Sequence, residues 1–141
     1  MRQKYLDMQK KHQDEFSNFP IAYAFNEQQL TEALEKLGAK KEECVTVVGC
    51  GDIMKKSDVA AFYVMIKRHR EELREAMKDV EFAYAAFLYE MDNHEYAINW
   101  SGDEDVLACF NMDWDDVCKL GLQLAWDKAR NQHMEHARDF I

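Results

Sequence analysis

Beside the most apolar stretch of the chain, ionisable side chains are densest in Asp92-Asn93-His94-Glu95-Tyr96, where two carboxylates, an imidazole and a phenol fall within a few residues. Asp92, His94 and Glu95 carry donor atoms suited to a divalent metal, and His94 could act as a general base. Spacing limits that reading. Residues two apart on a helix point in different directions, so Asp92 and His94 share a site only where the helix has ended. A histidine at a helix C-terminus also has an ordinary task, bonding free carbonyls and complementing the dipole. No metal ligand and no catalytic residue is therefore assigned, and the segment stands as a candidate functional surface.

A second candidate is Val47-Val48-Gly49-Cys50-Gly51-Asp52. A β-branched run followed by G-x-G can turn backbone N–H groups toward a phosphate or an adenosyl cofactor. The third glycine of such a loop would stand at Met54, and five residues separate Gly51 from Ser57, the nearest helix cap. The expectation is a tight turn in which glycine supplies positive φ, with no cofactor. His133 and His136, one helical turn apart, read as incidental residues of the tail. Nucleophile elbow, Walker loop and HExxH spacings do not occur. The four cysteines, Cys44, Cys50, Cys109 and Cys118, form no CxxC pair. Cys109 and Cys118 fall in apolar helical stretches and read as small buried hydrophobes in a reducing, cytoplasmic compartment.

These groups need elements to position them. Tyr5, Met8, His12, Phe16 and Phe19 recur at helical spacing, and Pro20 ends that helix, placing it within residues 1–19. Residues 21–25 suit a short strand or an extended link. Asn26 caps a helix with Gln29 as partner, Leu30, Ala33, Leu34 and Leu37 line it, and Gly38 closes it. Val45 to Val48 read as a strand. Ser57 caps an amphipathic helix through Met77. From Glu81 to about Tyr96 the sequence is apolar nearly all round, which predicts a central buried helix. Ser101 with Glu104 has the form of a capping box, Asp113 can cap a further helix carrying Trp114 to Ala129, and residues 131–141 read as a frayed helical tail. Phe82, Tyr84, Phe87, Tyr89, Trp100, Trp114 and Trp126 read as core.

The chain has 141 residues, is 48% hydrophobic and contains a single proline. One domain over 1–141 is expected, mainly α, with five or six helices around the central one and at most a minor two-stranded β element. A net charge of -9 argues against direct binding to nucleic acid. The one basic run, residues 67–70, is followed at once by Glu71 and Glu72. No apolar leader opens the chain, and no window suits a membrane span.

The matching stretches Ala24 to Gln29 with Leu37-Gly38, Gly49 to Asp58 leading to Ala61-Phe62, Phe87 to Tyr96, and Gly102 to Asp105 carry a resemblance. Over roughly residues 20–120 the chain resembles a family of small uncharacterised proteins from anaerobic gut bacteria and their mobile elements. It departs from that pattern at Asp79-Val80-Glu81, in place of a glycine-containing linker, and after Asp116. The family brings no activity. The resemblance implies only that Gly49, Cys50, Gly51 and Asp52 face His94, Glu95 and Tyr96 at one site.

The leading expectation is a small intracellular accessory protein that acts by contact with another protein, without catalysis, and that is compatible with a homo-oligomer. One alternative is an acidic mimic of nucleic acid, with Asp103-Glu104-Asp105 and Asp113, Asp115 and Asp116 forming a stripe. The other is a metal-dependent enzyme at Asp92, His94 and Glu95.

Overall fold

A computed structural model of the chain describes residues 1–139. The mainly α class holds. Among the described residues there are seven α-helices and three short strands. The helices are α1 (Arg2–Asn18), α2 (Glu27–Leu37), α3 (Val59–Ala76), α4 (Val80–Asn93), α5 (Gly102–Ala108), α6 (Trp114–Lys119) and α7 (Gln123–Ala137). The strands are β1 (Ala22–Tyr23), β2 (Cys44–Val45) and β3 (Asp52–Lys55). The chain divides into two compact units, Lys11–Arg68 and a larger one built from Met1–Lys10 and the chain from His69 onward.

The smaller unit holds an antiparallel sheet in the order β1-β3-β2, with Ala22 opposite Ile53 and Cys44 opposite Lys55. That is one strand more than expected. Residues 52–55 follow the glycine turn as a strand, with the alternating burial of a half-buried one. The strand expected over Val45 to Val48 stops at Val45, because Val47 and Val48 donate to the Asp52 carboxylate instead of to a ladder. Around α2 the expectation holds closely. Asn26 accepts from the Gln29 backbone, the Gln29 side chain accepts from the Phe25 N–H, and Gly38 takes the left-handed conformation. A 3₁₀ turn over Lys56–Asp58 leads into α3, so Ser57 lies inside that turn and does not cap the helix. Ile21, Met54, Phe62 and Met65 form one apolar cluster, and Ala22, Ala33 and Leu37 a second.

In the larger unit α4 is the hub, as its composition requires. Phe82, Ala83, Ala86, Phe87 and Met91 are buried, and α4 packs most extensively on α7. Phe87 sits edge-on to both Phe110 and Trp126. Complete burial of such a ring stabilises by about 1.5–3 kcal/mol. Asp79 caps the helix by accepting from Glu81 and Phe82.

The helix expected from Asp113 to Ala129 is two helices, because Gly121 adopts φ +69 between α6 and α7. Asp113 does cap α6, in a reciprocal box with Asp116. Ser101 makes no capping bond; its hydroxyl turns to Asn99 and Asp105. The tail is helical to Ala137 with His133 buried, and residues 140–141 lie outside the described residues. Trp100 and Trp114 are exposed rather than core, while Cys118 is exposed and Cys109 half-buried. Among the described residues no helix is long and apolar enough to cross a membrane.

Candidate functional site

Within the apolar run Phe82 to Met91 there is one charged residue, Glu90. It lies on the buried face of α4 and is only 3% exposed. A buried carboxylate is costly unless hydrogen-bonded, and both of its oxygens are engaged. Oε1 accepts from the Tyr5 hydroxyl at 2.9 Å and from Gln9 Nε2 at 3.0 Å, both on α1. Gln9 also donates to the Tyr5 oxygen at 2.8 Å, closing a small network. Burial, followed by the charge of Glu90, pushes the Tyr5 phenol far up, so its proton stays in place as a donor.

Oε2 of Glu90 faces the other way. It lies 3.3 Å from His94 Nε2, one turn further along α4, and 3.4 Å from Cys109 Sγ at the C-terminus of α5. Cys109 Sγ and His94 Nε2 are themselves 3.3 Å apart. The three atoms thus form a nearly equilateral triangle. Asn99 holds its frame by donating from one amide nitrogen to the His94 carbonyl at 3.2 Å and to Asp105 at 2.8 Å. The Cys109 thiol also points at the Asp105 carbonyl, at 3.4 Å.

Two chemistries compete for such a triangle. In a nucleophilic triad the orienting acid and the nucleophile address opposite nitrogens of the histidine. Here Glu90 and Cys109 both address Nε2. An activated thiol also has a lowered pKa, whereas burial and then the charge of Glu90 push the Cys109 thiol up to about 12. The nucleophile reading fails on both counts. A metal requires the opposite arrangement, with three donors aimed at one point. Tetrahedral zinc with ordinary Zn–S, Zn–N and Zn–O bonds sets its donors about 3.4–3.6 Å apart. The observed edges of 3.3, 3.3 and 3.4 Å lie close to that. A cation at the centre reverses the pKa logic, because a coordinating thiol gives up its proton.

The second group begins two residues after Glu90. Asp92 Oδ1 is 2.7 Å from His133 Nδ1, and Asp92 Oδ2 is 3.1 Å from His136 Nδ1. His133 Nε2 accepts from the Ala97 N–H at 3.0 Å, which assigns its proton to Nδ1 and makes Asp92 the acceptor. Tyr96 packs edge-on against both Trp126 and His133 and bonds to Asp103. Glu95, just past the end of α4, has φ 51.

A family model matches residues 4–132, a span that holds Tyr5, Gln9, Glu90, His94 and Cys109 together. The chain belongs to the Family of unknown function (DUF7659). No curated protein and no solved structure matches it. Family membership therefore brings no activity. The triangle lies wholly inside the family segment, whereas His133 and His136 lie outside it.

Asp92, His94 and Glu95, neighbours in sequence, are dealt out to different partners. His94 joins Glu90 and Cys109, Asp92 joins His133 and His136, and Glu95 stands beside Asp92 along a cleft. Among the described residues the metal-capable group of three is Glu90, His94 and Cys109. Sequence reasoning misses Glu90, because it sits in a run whose apolar periodicity dominates. The available signal is a lone charge on a buried face with a histidine four residues later.

Gly49, Cys50, Gly51 and Asp52 belong to the smaller unit. Gly49 and Gly51 take φ 92 and 77, as a tight turn requires. The loop does gather its backbone N–H groups on an anion, and that anion is Asp52. Its Oδ2 accepts from Val47 and Val48 at 2.9 and 3.0 Å, and its Oδ1 from Gly49 and Cys50 at 2.8 and 3.2 Å. Burial works against this carboxylate, but the four N–H groups outweigh it and hold its pKa below the usual range. The donors a phosphate would use are thereby engaged.

Proposed function

We propose that this chain is a small metal-binding accessory protein that holds one zinc-class divalent ion on Glu90, His94 and Cys109. The observation that carries the reading is the triangle of donor atoms, with sides of 3.3, 3.3 and 3.4 Å. Its chemical mixture supports the same class of ion. A thiolate and an imidazole suit zinc and its neighbours, while calcium and magnesium prefer all-oxygen sites. Tyr5 and Gln9 hold the far oxygen of Glu90, as outer partners of a ligating carboxylate do. Three protein donors leave a fourth position for water or a ligand. The site suits a reducing interior, in which Cys109 stays a free thiol.

The test is equilibrium dialysis of untagged protein against micromolar zinc, followed by elemental analysis. One ion per chain is expected for the wild type and for Asp92→Ala. Little is expected for Cys109→Ala or His94→Ala. Cobalt loading should give a thiolate-to-metal charge-transfer band that Cys109→Ala abolishes. Uptake by the wild type that equals uptake by both site variants would overturn the proposal.

A second reading, contact with another protein, is favoured by Trp100. Its indole is fully exposed, near Ile98, which is 66% exposed, and buried aromatic anchors dominate protein interfaces. If this indole is an anchor, Trp100→Ala leaves the thermal midpoint and zinc uptake unchanged but weakens association in sedimentation. The nucleic-acid mimic draws less support. Asp103 accepts from Tyr96, Asp105 from Asn99 and Ser101, and Asp116 from Arg74, so these carboxylates are engaged within the protein.

A further inference from the structure

Apart from the triangle, and sharing none of its residues, the larger unit carries a cleft of about 500 Å³. That lies within the range of small-molecule sites. Its apolar lining is Ala97, Ile98 and Ala137, and its polar lining is Asp92, Glu95, His133 and His136. We infer that this cleft binds a small organic cation, a primary ammonium carried on an apolar body, with the charge against Asp92 and Glu95 and the body against Ile98.

The electrostatics come from the hydrogen bonds. His133 is 5% exposed, and both its ring nitrogens are used, Nδ1 toward Asp92 and Nε2 accepting from Ala97. It therefore sits in the wall as a neutral ring and cancels no charge. Its bond to Asp92 fixes that carboxylate in place, and His136 steadies the second oxygen. Asp92 still has 38% of its side chain exposed, so it remains within reach of a ligand. Glu95 is exposed and adds a second negative charge on the same lining. A cleft with two carboxylates and an apolar wall discriminates by charge first and by shape second.

The backbone at Glu95 gives an independent reason to single out that residue. It follows the C-cap His94 and adopts φ 51, ψ 47. Glycine or asparagine ordinarily fills a left-handed position after a helix, and α2 of this chain follows the rule, with Gly38 at φ 64. At position 95 the chain instead carries a strained glutamate that lines the cleft. Strain of this kind collects at ligand clamps.

The experiment is a titration of isotopically labelled full-length protein, followed by amide chemical shifts, with three probes of one shape: phenethylamine, 2-phenylethanol and 3-phenylpropionate. The amine is expected to shift the amides of Ala97, Ile98 and Ala137 and to bind at least about tenfold more tightly than the alcohol. The carboxylate should not bind. Glu95→Gln should weaken the amine about five- to tenfold, and Asp92→Asn more. Because Asp92→Asn also disturbs two histidines, Glu95→Gly serves as the second variant. It removes both carboxylate and strain, so binding should fall while the thermal midpoint holds or rises. The amine should bind equally well to Cys109→Ala, which separates this inference from the metal reading. Equal binding of all three probes, indifference to both Glu95 variants, or shifts mapping outside the cleft would overturn it.

Discussion

Asp52 and Glu90 are both buried carboxylates, 1% and 3% exposed, yet their surroundings are opposite in kind. Asp52 meets four backbone N–H groups, two on each oxygen, all from residues 47–50. Every partner is a donor and every partner is local, so the arrangement is complete once the turn has formed. Glu90 has donors from α1 on one oxygen only. Its other oxygen faces a thiol and an imidazole nitrogen, groups that can accept as well as donate. One carboxylate ends a loop's need for a ligand. The other leaves three potential ligand atoms within 3.4 Å of one another. A loop with the look of a binding motif can thus be self-satisfied, while a helix position with the look of core can be the chemical one.

The strongest response should come from making the same small change at both. Asp52→Asn puts an amide NH₂ against N–H groups that had an acceptor. Leaving two part-buried donors opposed should cost about 1–3 kcal/mol in urea unfolding and leave zinc uptake unchanged. Glu90→Gln keeps the oxygen that serves Tyr5 and Gln9 and turns its NH₂ toward groups able to accept. Stability should move by no more than about 1 kcal/mol, while zinc affinity falls by about 100-fold or more. If both variants lose stability and neither loses zinc, the two carboxylates are alike and the distinction collapses.

A more modest cost tests how the Asp52 loop closes. Gly51 has φ +77, and a Cβ there would stand 2.6 Å from Phe25 Cε1. The Phe25 ring is 76% exposed and can swing aside, so most of the cost of Gly51→Ala is backbone strain, about 1–2 kcal/mol. Gly49 at φ +92 has open space around its Cβ, so Gly49→Ala should show the backbone cost alone and be the milder of the two. Both are read by urea unfolding. Equal stability of wild type and Gly51→Ala would mean that the turn does not hold its left-handed geometry in solution.

The same contrast explains what is legible in the sequence. Local signals carry: Asn26 and Gly38 bracket α2, and Asp113 caps α6. So does the apolar density of Phe82 to Met91, which makes α4 the hub. The glycine turn is legible as a turn. Its filled anion cradle is not, because the residue that fills it, Asp52, is also the first residue of β3, and nothing in its type announces either role. Gly121 escapes notice because the apolar spacing from Trp114 to Ala129 suits one continuous helix, and only its left-handed backbone divides it. The candidate sites are hidden by long range. Cys109 stands 19 residues from Glu90, and His133 stands 41 from Asp92. No pattern on one helix pairs them, and a buried carboxylate in an apolar run looks like an exception to be averaged away. Asp92, His94 and Glu95 group by proximity in sequence, but the end of α4 and the left-handed Glu95 send them in different directions.

The subtlest response is to pH, and its sign follows from the direction of the Asp52 shift. Its four N–H donors prefer the ionised form, so the folded pKa lies below the unfolded one. A group of that kind contributes stability that is fully present above the unfolded value, about 3.9 for aspartate, and is lost as pH falls through the folded value. Between pH 8 and 5 the gap in unfolding free energy between wild type and Asp52→Asn should therefore stay constant. Below about pH 4 it should shrink, because Asp52 of the unfolded wild type takes up a proton there while the folded carboxylate stays ionised to a lower pH. Other carboxylates titrate in the same range, and measuring the difference between the two proteins cancels those that both share. A gap that widened in acid would mean that the loop prefers a protonated Asp52. The four N–H groups would then not be its main partners, and the self-satisfied half of the comparison would be lost.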